Sequence, residues 1–369
     1  MLPAKIIQRI PRRVDLASKY PATCLKFSFI IAILIFFQPL LAQKATKKMN
    51  IMEMPDVEAF LKVNQKTLGA VSVVVYKDTI VYSKSNNDYF NSRTQAPVPG
   101  ISKWFTAAVV LALVDEGKLK LDDPVSKYLP VMNKYMKSYI TIRMCLAHTT
   151  GVENNKGFLS SGKKKYDMLE DEVNAYASRE ISNNAGEAFW YGDIGPNIAG
   201  RVVEIVTKKS FDRVAQEKIF RPLKMRATSF TDFEGKAINP AGGAQTTAND
   251  LINFLSMLLN KGEFEGKRIL SEQSVAEMMK AQFAGLPVRY TPEGTEGLHH
   301  GLGVWLKEED ANGNGIVVSG LDAYGSYVYL DNCRKYAAVL LTQKPLKESK
   351  KDLGKEFRDL VEGMMGECR

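Results

Sequence analysis

Strand signals in this chain gather at its two ends and leave the middle to helical patterns. Near the start, the β-branched and aromatic runs 70–76 and 79–83 flank Lys77-Asp78, which reads as a hairpin. Comparable runs return only after His300, at 303–306, 316–319, 324–330 and 336–342. Between them, 101–117, 196–206, 211–220, 248–260 and 272–279 repeat apolar residues at helical spacing. Several open on Ser, Thr or Asn caps, and Thr247 with Asp250 in the following turn suits a helix N-terminus. Further helices are read at 57–66 and 353–364. This distribution predicts an α/β (α+β) fold with one antiparallel sheet built from both ends of the chain. Helices from both ends flank the sheet, and a mostly helical part is inserted in it. The sheet part covers about 56–130 and 300–369, and the helical part about 131–299.

The first 43 residues differ in kind. Lys5, Arg9, Arg12, Arg13, Lys19 and Lys26 precede an apolar run over 27–41, and Gln38-Pro39-Leu40-Leu41-Ala42-Gln43 resembles a cleavage region. That order describes a secretory signal. The run is shorter than the roughly 20 residues that span a bilayer, so export is preferred to an uncleaved membrane anchor. Cys24 precedes the apolar run, the wrong side for a lipid-modified cysteine. The expected location is periplasmic or secreted, with a polar linker over 44–55 before the folded part and membrane contact only through the leader if it stays attached.

Charge and cysteine content narrow the function further. The leader's six basic residues and Asp15 carry +5 of the total +9, which leaves +4 to the rest. With no clustering beyond Lys163, Lys164 and Lys165, which reads as a solvated loop, a nucleic-acid partner is not expected. Of four cysteines, Cys145, Cys333 and Cys368 follow the leader and allow at most one disulfide. Cys145 sits in an apolar helical context and reads as core.

Several blocks in order carry a resemblance. They are Gly100-Ile-Ser-Lys103-Trp-Phe-Thr-Ala-Ala108 with the turn running to Pro130, Leu146-Ala-His148-Thr-Thr-Gly151, Phe189-Trp-Tyr191-Gly-Asp193 and Gly200-Arg-Val-Val-Glu204. Ile219-Phe-Arg-Pro-Leu223, Ala241-Gly-Gly243 and Gly301-Leu-Gly303 complete the set. Together they resemble the penicillin-binding protein and serine β-lactamase-like family over about residues 57–345. The resemblance implies an antiparallel-sheet domain and a helical domain with the active site between them, and acyl transfer through a serine ester. In that chemistry a serine and a lysine at i and i+3 share one helix face, a tyrosine moves the proton, and backbone N–H groups hold the oxyanion.

Carried over residue by residue, the lysine is Lys103 and the tyrosine is Tyr191, but the nucleophile position is Gly100. Ser102 is the adjacent hydroxyl, about 100° round the helix from Lys103, so it should face elsewhere. Asp193 stands where Asn or Ser is usual. The third motif falls at Ser319-Gly320 without the usual Lys or His before it, and its alignment can slip. Blander roles are open to all of these. Lys103 can be a buried amine hydrogen-bonded to Tyr191, Tyr191 a packed aromatic, and His148 the holder of a turn. His299-His300 makes a poor chelator, with Glu293 and Glu296 in a Gly/Pro loop, so no metal and no cofactor is expected. Three functions are open: an exported pseudoenzyme binding a small molecule or peptide in the interdomain cleft, a hydrolase using Ser102 or a lysine-activated water, or an envelope interaction protein. The loops 154–165 and 285–297 carry no readable specificity.

Overall fold

The computed structural model describes residues 51–153, 166–230, 238–321, 325–343 and 353–368. The leader, most of the linker, the loop 154–165 with its lysine run, Asp322 and Tyr324 lie outside the described residues.

The main sheet has seven strands: β1 (Val71–Lys77), β2 (Thr79–Ser85), β3 (His299–His300), β4 (Trp305–Glu309), β5 (Gly315–Leu321), β6 (Tyr327–Asp331) and β7 (Tyr336–Thr342). Their order is β2-β1-β7-β6-β5-β4-β3, antiparallel throughout. Pairing β1 with β7 joins strands from the two ends of the sequence, second and third from the β2 edge of the sheet. Helices cover both of its faces, which is why Val71, Ser72, Val73, Val74 and Val75 are all buried rather than alternating. One face packs on α1 (Pro55–Val63) and on the C-terminal helix (Leu353–Met365). There Val73, Val75, Tyr329 and Leu340 meet Phe60, Phe357 and Val361. Met54, just ahead of α1, is already buried in this layer.

The other face packs Val74, Val318, Val328 and Val339 against helices from the inserted segment. Two of these helices carry residues that the sequence marks as functional: α2 (Ser102–Asp115) and α3 (Ile194–Thr207), the latter starting directly after Asp193. In α2 every residue from Ser102 to Leu113 is buried. A helix apolar all round belongs in a core, and this one sits between the sheet and α3. The helix α4 (Ala248–Leu259) lies across β1 and β7, and its cap works as the residue types suggest: Thr247 Oγ1 accepts from Asp250 N at 3.1 Å. Asp250 does more than favour the helix dipole, because its carboxylate also accepts from Ala227 N and Thr228 Oγ1.

Some boundaries differ from the sequence expectation for local reasons. The helix expected over 211–220 stops as an α-helix at Ala215 and continues as a π turn over Gln216–Phe220. That wider turn brings both Ile219 and Phe220 inward, where Phe220 meets Phe105 edge-on and stacks on Phe230. The strand expected from residue 303 begins at Trp305, because Gly303 takes φ +82° in a turn closed by Gly301 N donating to Val304 O. Cys333 and Cys368 form a disulfide with Cα atoms 5.2 Å apart, and Cys145 is a buried free thiol.

Candidate active site

The segment before α2 is wound tightly. Ser102 N donates to Val98 O, Lys103 N to Gly100 O and Trp104 N to Ile101 O. Gly100 and Lys103 are thus one turn apart at the start of a buried helix, and Gly100 is itself buried. At that position the chain offers backbone atoms and hydrogen only. Ser102 is fully buried, and its hydroxyl donates to Val98 O at 2.8 Å and accepts from Ala244 N at 3.0 Å. Its oxygen is a clasp between α2 and the 239–244 segment.

That segment forms one wall of the site. Thr106 Oγ1 donates to Pro240 O, and Ala241 N donates to Asn197 Oδ1 on α3 at 2.8 Å. With its N–H held from α3, Ala241 presents its carbonyl to Lys103, whose Nζ donates to it at 2.8 Å. Nζ also donates to Asp193 Oδ1 at 3.2 Å and lies 4.9 Å from the centre of the Tyr191 ring. Lys103 and Asp193 are 90 residues apart in sequence, so the pair is made by packing α2 against the start of α3. Lys103 is 1% exposed, whereas the Asp193 side chain keeps 24% exposure. Burial pushes the lysine below its ordinary pKa, and Asp193 opposes that shift without cancelling it.

Tyr191 belongs to an aromatic cluster with His148, Phe189, Phe283, His300 and Trp305. Its ring is 4.6 Å from His148 and 5.3 Å from Trp305, and the two imidazoles are 4.9 Å apart. His148 takes φ +58°, accepts Trp190 N on its carbonyl and Gly192 N on Nδ1 at 3.4 Å, and so ties its turn to the tyrosine segment. The other edge of that segment is held by Tyr191 N donating to Tyr290 O. His300 Nδ1 lies 2.7 Å from Gly301 O, which makes it the protonated nitrogen. Burial and the neighbouring Lys103 keep both rings neutral. His148 sits well below its ordinary value, where His300 adds to the effect, and His300 is pushed down to about 3. Among the described residues, both Nε2 atoms are buried without a hydrogen-bond partner. Since His148 Nδ1 accepts, its Nε2 carries the proton, so the two rings do not present a matched pair of metal-binding lone pairs.

Ser319 and Gly320 lie on β5, next to this cluster. Ser319 pairs with Trp305 on one side and Tyr329 on the other, and it is 3% exposed. Gly320 sits so close to the Trp104 indole that a Cβ there would lie 3.0 Å from Nε1. Val318, where a cation would stand by the resemblance, is buried in the apolar layer. His299, next to His300, points to a different partner, Glu309, at 2.6 Å. Among the described residues no three His, Cys, Asp or Glu side chains gather as a metal site. The motifs that include Ala241 gave no sign of its carbonyl's contact with Lys103, and neither Asn197 nor the His148–His300 contact was expected from the sequence. The available signal for the last was that His148, His299 and His300 are the chain's 3 histidines.

An antiparallel sheet with both terminal helices on one face and inserted helices on the other, and a lysine at the start of a buried helix facing a tyrosine from the inserted helical part, define a β-lactamase/transpeptidase-like fold. The chain belongs to the Beta-lactamase family, whose model matches residues 41–362. It is 31% identical over 153 residues to Protein flp of Staphylococcus aureus, a match covering 41% of this chain and 31% of that protein. It is 28% identical over 216 residues to penicillin-binding protein 4 of Amycolatopsis lactamdurans, covering 50% of this chain and 56% of the relative. These matches thus span about a third to a half of the curated relatives. A solved protein from Bacteroides dorei DSM 17855, described as a candidate β-lactamase, superposes with a TM-score of 0.77 at 26% identity, covering 85% of this chain and 99% of that one.

Proposed function

We propose that this chain is an exported homologue of acyl-transfer hydrolases that retains the ligand cleft but forms no serine ester. The observation that carries the reading is the pairing of Gly100 with Lys103 one helical turn on, while the neighbouring hydroxyl of Ser102 is committed to Val98 O and Ala244 N. An acyl-enzyme needs a nucleophilic atom beside its proton acceptor. Lys103 and Tyr191 keep the surroundings of such a site, and the cleft they border would hold a small ester, amide or peptide, with Asp193, Ser319 and Gly320 as contacts. Export rests on the basic and apolar leader, and the Cys333–Cys368 pairing fits an oxidising compartment.

A hydrolase working through a lysine-activated water is the second reading, favoured by the desolvated Lys103 amine. Turnover of nitrocefin and p-nitrophenyl esters separates the two. The binding reading expects no turnover above that of Lys103→Ala. Turnover that vanishes in Lys103→Ala and persists in Ser102→Ala establishes the water mechanism instead.

A further inference from the structure

Once Gly100 and Ser102 are set aside, the strongest nucleophile at this site is the Lys103 amine. We propose that Lys103 forms a covalent imine with a small aldehyde or ketone bound in the cleft, so that the site takes carbonyl compounds rather than acyl donors. The inference goes beyond the binding reading and rests on its premise that no serine competes for the ligand.

The geometry supplies what imine formation needs. Nζ is held at a fixed point by Ala241 O at 2.8 Å and Asp193 Oδ1 at 3.2 Å, with the Tyr191 ring 4.9 Å away. One helical turn before Lys103 stands Gly100, which puts no side chain on that face of the helix. The Asp193 carboxylate takes a proton from the ammonium, and the freed amine attacks the carbonyl carbon, forming the N–C bond of a carbinolamine. The carbinolamine oxygen then receives that proton back from Asp193, directly or relayed through the Tyr191 hydroxyl. A second proton passes from nitrogen by way of Asp193 to the same oxygen as the C–O bond breaks, and the oxygen departs as water. Counted from the ammonium, the products are a protonated imine and water, so the charge facing Asp193 is the same before and after. Asp193 therefore has a counterion at both ends of the step, and the buried nitrogen at position 103 is never left charged without its partner. Burial of Lys103, by lowering the amine's proton affinity, works in the same direction.

Reductive trapping tests this on the mature chain at neutral pH. The protein is incubated with propionaldehyde and sodium cyanoborohydride, and modified lysines are located by peptide mass spectrometry. The expected result is a secondary amine at Lys103 ahead of the exposed Lys62 and Lys355. The adduct should be lost in Lys103→Arg and slowed in Tyr191→Phe at an unchanged melting temperature. An unmodified Lys103, or one modified no faster than those two surface lysines, overturns the inference, whether or not the variants fold. A parallel sample treated with a fluorophosphonate reports on the premise separately. Serine labelling there would sink the no-ester reading, while a blank serine with a blank Lys103 sinks only the imine.

Discussion

Replacing Ser102 by alanine distinguishes a structural clasp from a hidden nucleophile. The hydroxyl is fully buried between Val98 O and Ala244 N. Val98 O keeps its bond from Ser102 N, but Ala244 N loses its acceptor in a buried position. Leaving a buried donor unsatisfied costs about 1–3 kcal/mol. At the roughly 2–4 °C per kcal/mol typical of large domains, a loss near the middle of that range lowers the melting temperature by roughly 4–8 °C. Differential scanning calorimetry of the protein and its Ser102→Ala variant reads this directly, with circular dichroism to confirm that the fold is kept. The ligand binding proposed for this site should persist in the folded variant. An unchanged melting temperature would refute the clasp, and loss of a covalent probe adduct in that variant would make Ser102 chemical.

Other consequences can be checked in the same samples. His300 holds its neutral form down to about 3 by burial, against an ordinary value near 6.5, so the unfolded chain binds a proton that the folded chain refuses. Stability therefore falls as pH drops below about 6.5, by about 2 kcal/mol per such histidine at pH 5 relative to pH 7. His300→Phe should flatten that slope in melting curves taken between those pH values, and an equal slope contradicts the burial argument. Reducing Cys333–Cys368 reopens a link across 35 residues. Chain entropy puts the loss at about 3–4 kcal/mol, seen as a lower denaturation midpoint with dithiothreitol, and no change would mean the bond adds nothing. Gly303→Ala forces a side chain into φ +82° with its Cβ 2.5 Å from Lys103 O. It should cost about 2–4 kcal/mol in urea unfolding, whereas Gly266→Ala, which meets nothing nearby, should cost mainly the strain of its positive φ.

The sheet was readable because strand patterns are local and only their pairing is not. Runs such as 336–342 have a period and composition that survive burial, and β1 pairing with β7 follows once both ends must share one sheet. The apolar stretch in α2 and the Thr247 cap are equally local. The site is another matter. Lys103, Tyr191 and Asp193 could be named from short motifs, but not the carbonyl of Ala241, which is aimed by Asn197 on α3 and has no side-chain signature. The His148–His300 contact joins a turn to a strand 152 residues later through ring packing alone. Neither residue type nor spacing encodes such a meeting. The shift at 211–220 escaped for a related reason: an α and a π turn share the same apolar residues, and packing around Phe230 selects between them.

Position 100, at the entry to α2, offers an acyl group no side-chain atom. Intact-protein mass spectrometry of the protein after exposure to a fluorescent penicillin, alongside Gly100→Ser, decides whether an ester forms. The native protein should carry no adduct, and the variant a new one mapped to position 100. A stoichiometric ester on any serine of the native chain would contradict it.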